Sequence, residues 1–223
     1  LTYRLDIYLV AFFLPPEQIA FYGIATSIAE LVWYIPNSVG MVLFPKLSGT
    51  AERDIHAVTA EVCRHTFAIT AAVGLAVLVA GAVGIPILYG AVYRPATRPL
   101  LFLIPGTTMM TLYKVLTRNF SSRDRQEISI LAAFSGLVLN GMLDWLLIPR
   151  IGIQGAALAS TLAYSFAGLL LVWAFLRESG LGWQSLFRLR ARDMERYREL
   201  IARLRSYVEK VTKKGERHVE EMA

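Results

Sequence analysis

Apolar residues run along this chain in long segments separated by short charged or proline-containing stretches. No Asp, Glu, Lys or Arg occurs between positions 66 and 93, or between 151 and 176. Each run exceeds the roughly 20 apolar residues that a helix needs to cross a bilayer. Backbone polar groups in lipid must be satisfied within their own segment, so these runs predict helices. The predicted membrane helices, named A to F, cover about 1–14, 18–44, 66–88, 96–115, 128–148 and 155–176, and the first is truncated.

The predicted fold class is therefore all-α, a polytopic transmembrane bundle of six helices over residues 1–180. Pro45 closes helix B because proline cannot continue the hydrogen-bond ladder of a helix. Pro36 within the same helix predicts a looser backbone there. Pro105-Gly106 within helix D predicts a kink or a break, a feature common near transport sites.

Residues 181–223 differ in composition and form a charged, basic tail. Tyr197, Leu200, Leu204 and Tyr207 recur three and four residues apart, which places them on one helical face. We predict an amphipathic helix at about 193–214 that lies on the membrane surface or on the bundle. A helix that binds a partner protein is the alternative.

Composition narrows the class of protein. Of the 223 residues, 55% are hydrophobic and 18% charged, against roughly a quarter charged in soluble domains. A net charge of +6 in a soluble protein would suggest nucleic acid. Here the excess positive charge lies in loops and in the tail. This distribution favours anionic membrane lipid as the partner, and we expect no binding of nucleic acid. Enzyme and metal motifs are absent from the sequence, so we expect neither catalysis nor a cofactor.

Polar side chains at membrane depth are the candidates for function, because burying them in lipid is costly. Glu30 lies near the middle of helix B, and Asn37 falls on the same face two turns later. A carboxylate at this depth can load and release a proton or a cation. We therefore predict that Glu30 and Asn37 couple transport to an H⁺ or Na⁺ gradient. The alternative is a static ion pair with a cation from a neighbouring helix.

Three other helices also carry polar residues. Helix A contributes Asp6 and Tyr8, and helix D contributes Thr111 and Lys114. We predict that these four contact substrate, although Lys114 could instead extend to the cytoplasmic surface. On helix E, Asn140 is interpreted as a contact between helices. Asp144, near the outer end of that helix, is interpreted as a residue at the membrane–water interface. Helix F carries a stripe of small residues that predicts close helix packing: Gly155, Ala159, Ala163 and Ala167.

A series of short motifs resembles one transporter family in order and spacing. The motifs are Arg4-Leu5-Asp6, Phe21-Tyr22-Gly23-Ile24-Ala25, Ile35-Pro36, Val42-Leu43-Phe44-Pro45-Lys46-Leu47-Ser48, Tyr89-Gly90 and Ile148-Pro149-Arg150-Ile151-Gly152 through Ala159. Over about residues 1–180 the series resembles the second half of polysaccharide and O-antigen flippases. These are relatives of lipid II flippases and multidrug exporters.

The resemblance implies two helical bundles around a central cavity, with this chain forming the second bundle and an amino-terminal bundle as its partner. It implies alternating access by an inner-membrane protein, an undecaprenyl-pyrophosphate-linked oligosaccharide as substrate, and possible polysaccharide assembly proteins as partners. Arg4 matches the Arg-x-Asp position of the family, where a guanidinium would bind the diphosphate. Lipid II flippases tend to carry a further arginine where helix B has Glu30, so the exported polysaccharide unit is the expected substrate.

Three alternatives to that substrate and role stay open at this point. A lipid II flippase is one, and a cation-coupled multidrug exporter of the same architecture is another. A non-transporting membrane scaffold with a basic tail is the third. A continuous polar cavity with cationic residues would favour the lipid-linked substrate, and dry, fully packed helix faces would favour the scaffold.

The distribution of Lys and Arg predicts the orientation. The loops after helices B and D and the tail are rich in these residues, and the opposite side holds only Arg94, Arg98 and Arg150. The positive-inside rule places the carboxy-terminus in the cytoplasm. We therefore expect cysteines introduced at positions 94 and 150 to react with an impermeant thiol reagent in intact cells, and cysteines at 53 and 123 to stay unlabelled. The reverse labelling pattern would invert the topology.

Overall fold

The computed structural model describes residues 5–49 and 51–188, except the side chains of Glu52 and Arg53. Within these ranges every regular element is helical. The helices are α1 (Leu5–Phe13), α2 (Pro16–Glu30), α3 (Tyr34–Ser48), α4 (Glu52–Leu88), α5 (Thr97–Ser121), α6 (Gln126–Ile151), α7 (Ile153–Ser179) and α8 (Gln184–Phe187). Arg4 and the predicted tail helix at 193–214 lie outside the described residues.

Five segments of the described chain are long and apolar enough to cross a membrane. They are Pro16–Ser48, Asp54–Leu88, Ala91–Ser121, Gln126–Ile151 and Ile153–Ser179. They correspond in order to predicted helices B to F, and α1 corresponds to predicted helix A. The protein is therefore an all-α, multi-pass membrane bundle, as its hydrophobic pattern predicts.

Helix B is interrupted near Pro36. This residue has no N–H to donate to the carbonyl of Val32, and its ring crowds that carbonyl. The α-helix changes to a tighter 3₁₀ turn at Leu31–Trp33, and α3 begins directly after this turn. Pro36 then lies in the first turn of α3, where a helix needs no N–H donor. The looser backbone that Pro36 predicts thus takes the form of a short 3₁₀ segment.

Helix C begins much earlier than predicted. The prediction started at position 66, where the charges end, but α4 extends back to Glu52. Ile55 and Cys63 on the charged part are buried in an apolar cluster that also contains residues of α5, α7 and α8. Arg64 donates to the carbonyl of Ser185 at 3.0 Å, which attaches α8 to α4. A helix can therefore continue beyond its charge-free part when one face is covered.

The Pro105-Gly106 pair does not break helix D, because α5 is one continuous helix across it. Gly106 lies where α5 meets α7, and a Cβ there would come within 2.5 Å of Thr161 Cα. The hydroxyl of Thr161 donates to the carbonyl of Phe102 at 2.5 Å, next to the position at which Pro105 withholds its N–H. The pair therefore serves close packing, and the predicted break is wrong.

Helix α7 packs against both α5 and α6, and its small residues make this possible. Gly155 approaches the backbone of Leu147 so closely that a Cβ would lie 2.6 Å from its carbonyl carbon. Ala159, Ala163 and Ala167 continue the same buried stripe. Close helix packing by this stripe is confirmed.

Two apolar clusters fill the two ends of the bundle. On α5 they include Leu103 and Ile104 at one end and Leu112 at the other, and on α6 they include Ile148 and Ala132. Between those positions lie Thr107, Thr108 and Thr111 on α5 and Asn140 and Asp144 on α6. Part of the candidate functional site therefore lies between the two apolar clusters.

The close approach at Gly106 generates a stability prediction. Gly106→Ala should lower the free energy of unfolding by about 1–3 kcal/mol, because the added methyl group would overlap Thr161 backbone atoms. Gly84→Ala in α4 is the matched control, since no atom lies within 4 Å of its Cβ position. Thermal unfolding in detergent measures both variants. Equal melting temperatures for the two variants would contradict the packing account.

Candidate functional site

Four helices meet at a buried polar cluster. Tyr22 of α2 donates its hydroxyl to Asp6 of α1, with 2.5 Å between the oxygens. Ser160 of α7 donates to the same carboxylate oxygen at 3.2 Å, and the Nδ2 atom of Asn140 on α6 lies 3.4 Å from the Ser160 hydroxyl. The sequence places these residues far apart, and the packing of α1, α2, α6 and α7 brings them together.

Asp144 lies one helical turn beyond Asn140 and is 0% exposed. Neither of its carboxylate oxygens has a hydrogen-bond partner among the described residues. Its charge interacts with that of Asp6 across the interface between α1 and α6. The prediction of an interfacial Asp144 is wrong, because α1 and α7 cover this part of α6.

Two neighbouring carboxylates in an apolar environment cannot both stay ionised without a counter-charge. A proton or a cation must neutralise one of them, or water must reach them. The surrounding oxygens of Asp6, Asp144, Asn140 and Ser160 are hard ligands of the kind that suits an alkali or alkaline-earth cation. The geometry therefore supports a site that loads and releases a proton or a small cation.

A second polar group lies on α2, α3 and α5. Lys114 donates to Asn37 Oδ1 at 3.1 Å, and its ammonium lies 4.8 Å from the centre of the Trp33 ring. Glu30 is close enough for its charge to interact with that of Lys114. Arg118 follows one turn later on α5 and lies across Gly40 of α3.

This second group borders a face that no other described helix covers. Asn37 and Arg118 are exposed, and Tyr34, three residues before Asn37 on α3, is 70% exposed. A face with both cationic and amide donors can bind an anionic oxygen group.

A small pocket lies between the buried cluster and Glu30. Its lining includes Asp6, Thr26, Glu30, Thr107 and Tyr164. One carboxylate of the buried cluster and the carboxylate beside Lys114 therefore border the same space.

The predicted site residues occupy different environments. Asp6 belongs to the buried cluster, whereas Glu30, Asn37 and Lys114 belong to the second group. Tyr8 is exposed on α1. Thr111 is fully buried, and its hydroxyl has no hydrogen-bond partner among the described residues. Their roles in binding or coupling stay predictions.

Tyr22 and Ser160 were not predicted as site residues. A tyrosine beside apolar neighbours on a helix is typical of a core position, and Ser160 follows directly after a member of the small-residue stripe. The signal that could have indicated them is the i, i+4 pair of Asn140 and Asp144. Such a pair requires polar partners on the helices that cover it.

The model of one protein family matches most of the chain. This model, of the lipid II flippase MurJ, covers residues 5–213. The chain belongs to this family. No curated protein sequence matches the chain at a significant level.

Membership of the MurJ family establishes the general activity. The chain belongs to a family of flippases, which are membrane transporters and not enzymes, as predicted. The five apolar spans agree with a multi-pass protein of the inner membrane. The match favours lipid II, which was the alternative substrate, and gives no support to the exported polysaccharide unit that was expected first.

The Tyr22–Asp6 contact generates a prediction that needs no transport assay. Tyr22→Phe removes only the hydroxyl, so it should cost about 1–3 kcal/mol of stability by leaving the buried carboxylate without this donor. Tyr93→Phe is a matched control, because Tyr93 packs its ring on Phe21. Chemical or thermal unfolding in detergent compares the two. A Tyr22→Phe variant as stable as the control would show that the contact contributes nothing.

Proposed function

We propose that this chain forms one bundle of a flippase that carries lipid II, a polyprenyl diphosphate-linked peptidoglycan precursor, across the inner membrane. We propose further that a proton or cation bound between Asp6 and Asp144 drives its cycle. The observation that carries the coupling is the fully buried Asp144 carboxylate, which has no hydrogen-bond partner among the described residues and lies beside a second carboxylate.

The substrate assignment is supported by the family and by the charges of the uncovered face. The diphosphate of lipid II is anionic, and Lys114 and Arg118 offer it cationic donors on one side of α5. Asn37 holds the Lys114 ammonium at 3.1 Å, which limits its motion before substrate binds. Arg4 lies outside the described residues, and its match to the Arg-x-Asp position of the family makes it a further candidate for binding the diphosphate.

A cationic drug would meet repulsion from the same face. Lys114 and Arg118 lie one turn apart, and their charges repel each other. The multidrug-exporter alternative requires a site in which carboxylates outweigh cations. Among the described residues of this group, two side chains are cationic, Lys114 and Arg118, and one is a carboxylate, Glu30. This balance of charge favours an anionic substrate over a cationic one.

The coupling follows from two states of the buried carboxylates. With a proton or cation bound, Asp6 and Asp144 can lie side by side, so α1 packs against α6. Without it, two buried anions repel each other, and separation of α1 from α6 is favoured. A ligand that binds one of two conformations more tightly shifts the population toward it. Because α1 leads directly into α2, this movement would alter the face that carries Glu30.

A second bundle, preceding this one in the chain, would close the cavity over the uncovered face and rock against it. The carboxy-terminus would lie in the cytoplasm, as the positive charges predict. Glu30 stays a competing position for the coupling ion, because its interaction with Lys114 is consistent with a static pair as well as with a titrating one.

Transport measurements distinguish Asp144 from Glu30 as the position of the coupling ion. Asp144→Asn should reduce gradient-driven movement of a fluorescent lipid II analogue in proteoliposomes by about tenfold or more, since the amide cannot exchange a proton or hold a cation. The Glu30→Gln variant should keep its dependence on the imposed Na⁺ or pH gradient. Both variants should be purified at wild-type yield and should show a cooperative unfolding transition before the assay.

Two results would contradict this assignment. Full gradient dependence in Asp144→Asn would exclude the buried carboxylate as the coupling group. Loss of that dependence in Glu30→Gln alone would move the coupling site to α2.

A further inference from the structure

A wide cleft opens at the end of the bundle that is predicted to be external. It lies between the α1–α2 turn, the segment before α5 and the α6–α7 turn, and its volume is about 870 Å³. Its polar lining consists of Gln18, Arg94, Thr97, Arg98 and Gln154. It is separate from the buried carboxylates and from the face around Lys114, neither of which contributes to its lining.

The two arginines of the cleft are not neutralised. Arg94 and Arg98 are exposed, and neither forms an ion pair with a described residue. They lie four residues apart, so two like charges are adjacent, which is unfavourable in the absence of an anion. No Asp or Glu lines the cleft. The neighbouring residue Glu17, in the first turn of α2, does not line the cleft.

The helix ends at the cleft add further positive potential. Both α5 and α7 begin there, at Thr97 and Ile153, and neither has an acidic residue in its first turn or a side-chain cap. The positive end of a helix dipole favours an anion at such positions, although the Thr97 N–H itself bonds to the carbonyl of Arg94 in the preceding turn. The hydroxyl oxygen of Thr97 is also buried without a hydrogen-bond partner among the described residues.

A third arginine at this end does not belong to the cleft. Arg150 donates to the carbonyl of Leu146 in its own helix at 2.9 Å and does not line the cleft. The positive-inside rule disfavours cations on the external side. Two uncompensated arginines facing one cleft on that side therefore point to an anionic ligand.

We propose that this cleft binds the diphosphate group of the lipid-linked substrate at the external end of the bundle. This proposal rests on the proposed function, because it takes the substrate to carry a diphosphate. Two guanidinium groups can each bind phosphate oxygens in a bidentate manner, and the side-chain amides of Gln18 and Gln154 can donate to the remaining oxygens. The cleft would hold the head of the lipid after translocation and before it leaves the protein.

Site-specific crosslinking tests this binding site. The full chain with Ile151→p-azidophenylalanine is placed in phosphatidylcholine nanodiscs with radiolabelled undecaprenyl diphosphate and illuminated, because Ile151 lines the cleft and has no polar group that the proposal uses. We expect crosslinking at position 151, and we expect Arg94→Gln with Arg98→Gln to reduce it by about tenfold or more at a subsaturating concentration. Arg150→Gln is the matched control and should change it less than about twofold. Lysine at positions 94 and 98 should restore part of the signal because it keeps the charge.

Competition identifies the anion. Unlabelled undecaprenyl diphosphate should suppress the crosslink, and phosphatidylglycerol at the same concentration should not. Equal suppression by phosphatidylglycerol would overturn the assignment to the diphosphate and indicate an ordinary headgroup site. Unchanged crosslinking in the double glutamine variant would overturn the role of the arginines.

The nanodisc assay is independent of transport, because the probe reaches both membrane surfaces. A protein that crosslinks as predicted but does not flip lipid II would refute the proposed function and leave the cleft in place. A protein that flips lipid II with no arginine-dependent crosslink would refute the cleft alone.

Discussion

The bundle has to accommodate two carboxylates, Asp6 and Asp144, at a depth where water does not reach them in the described structure. Tyr22 and Ser160 donate to Asp6, but no described residue donates to Asp144. Burying an unpaired ionised carboxylate costs far more than one hydrogen bond can return. The arrangement is stable only if a proton or a cation joins it, and so the conformation of α1 depends on a ligand. That dependence is what a transporter needs in order to use an ion gradient.

The close packing of α7 makes this possible. Gly106 and Gly155 allow the α7 backbone to lie against α5 and α6, which brings Ser160 within reach of both Asp6 and Asn140. By contrast, α1 is short in the described structure and contacts α6 and α2. The bundle thus combines a closely packed core of α5, α6 and α7 with a short first helix. Apolar residues such as Val10 pack α1 against the cluster at one end of the bundle, and Asp6 supplies its polar contacts with α2 and α7.

Much of the fold follows from the charge-free runs, because a helix is the only regular structure that satisfies its backbone in lipid. The length of α4 does not follow from its charge-free run, because apolar contacts with helices distant in sequence hold its charged first part. Gly106 illustrates the same limit, because a glycine after a proline is typical both of a break and of close packing, and only the position of Thr161 distinguishes them. Lys114 and Asn37 lie on predicted faces, but their 3.1 Å contact depends on how α3 is turned by the 3₁₀ segment before it. Asp144 was predicted to be interfacial because its depth was judged along its own helix, whereas its burial comes from α1 and α7.

The most direct test of this account is the effect of cations and protons on the stability of the purified chain. A ligand that binds only the folded state raises the melting temperature in proportion to the logarithm of its concentration. Unfolding should be followed in NaCl and in choline chloride at equal ionic strength, each at two pH values, for wild type and Asp144→Asn. The account predicts that Na⁺ or acidification stabilises the wild type and that this response is lost in Asp144→Asn. A wild type indifferent to both, or an identical response in the variant, would contradict it.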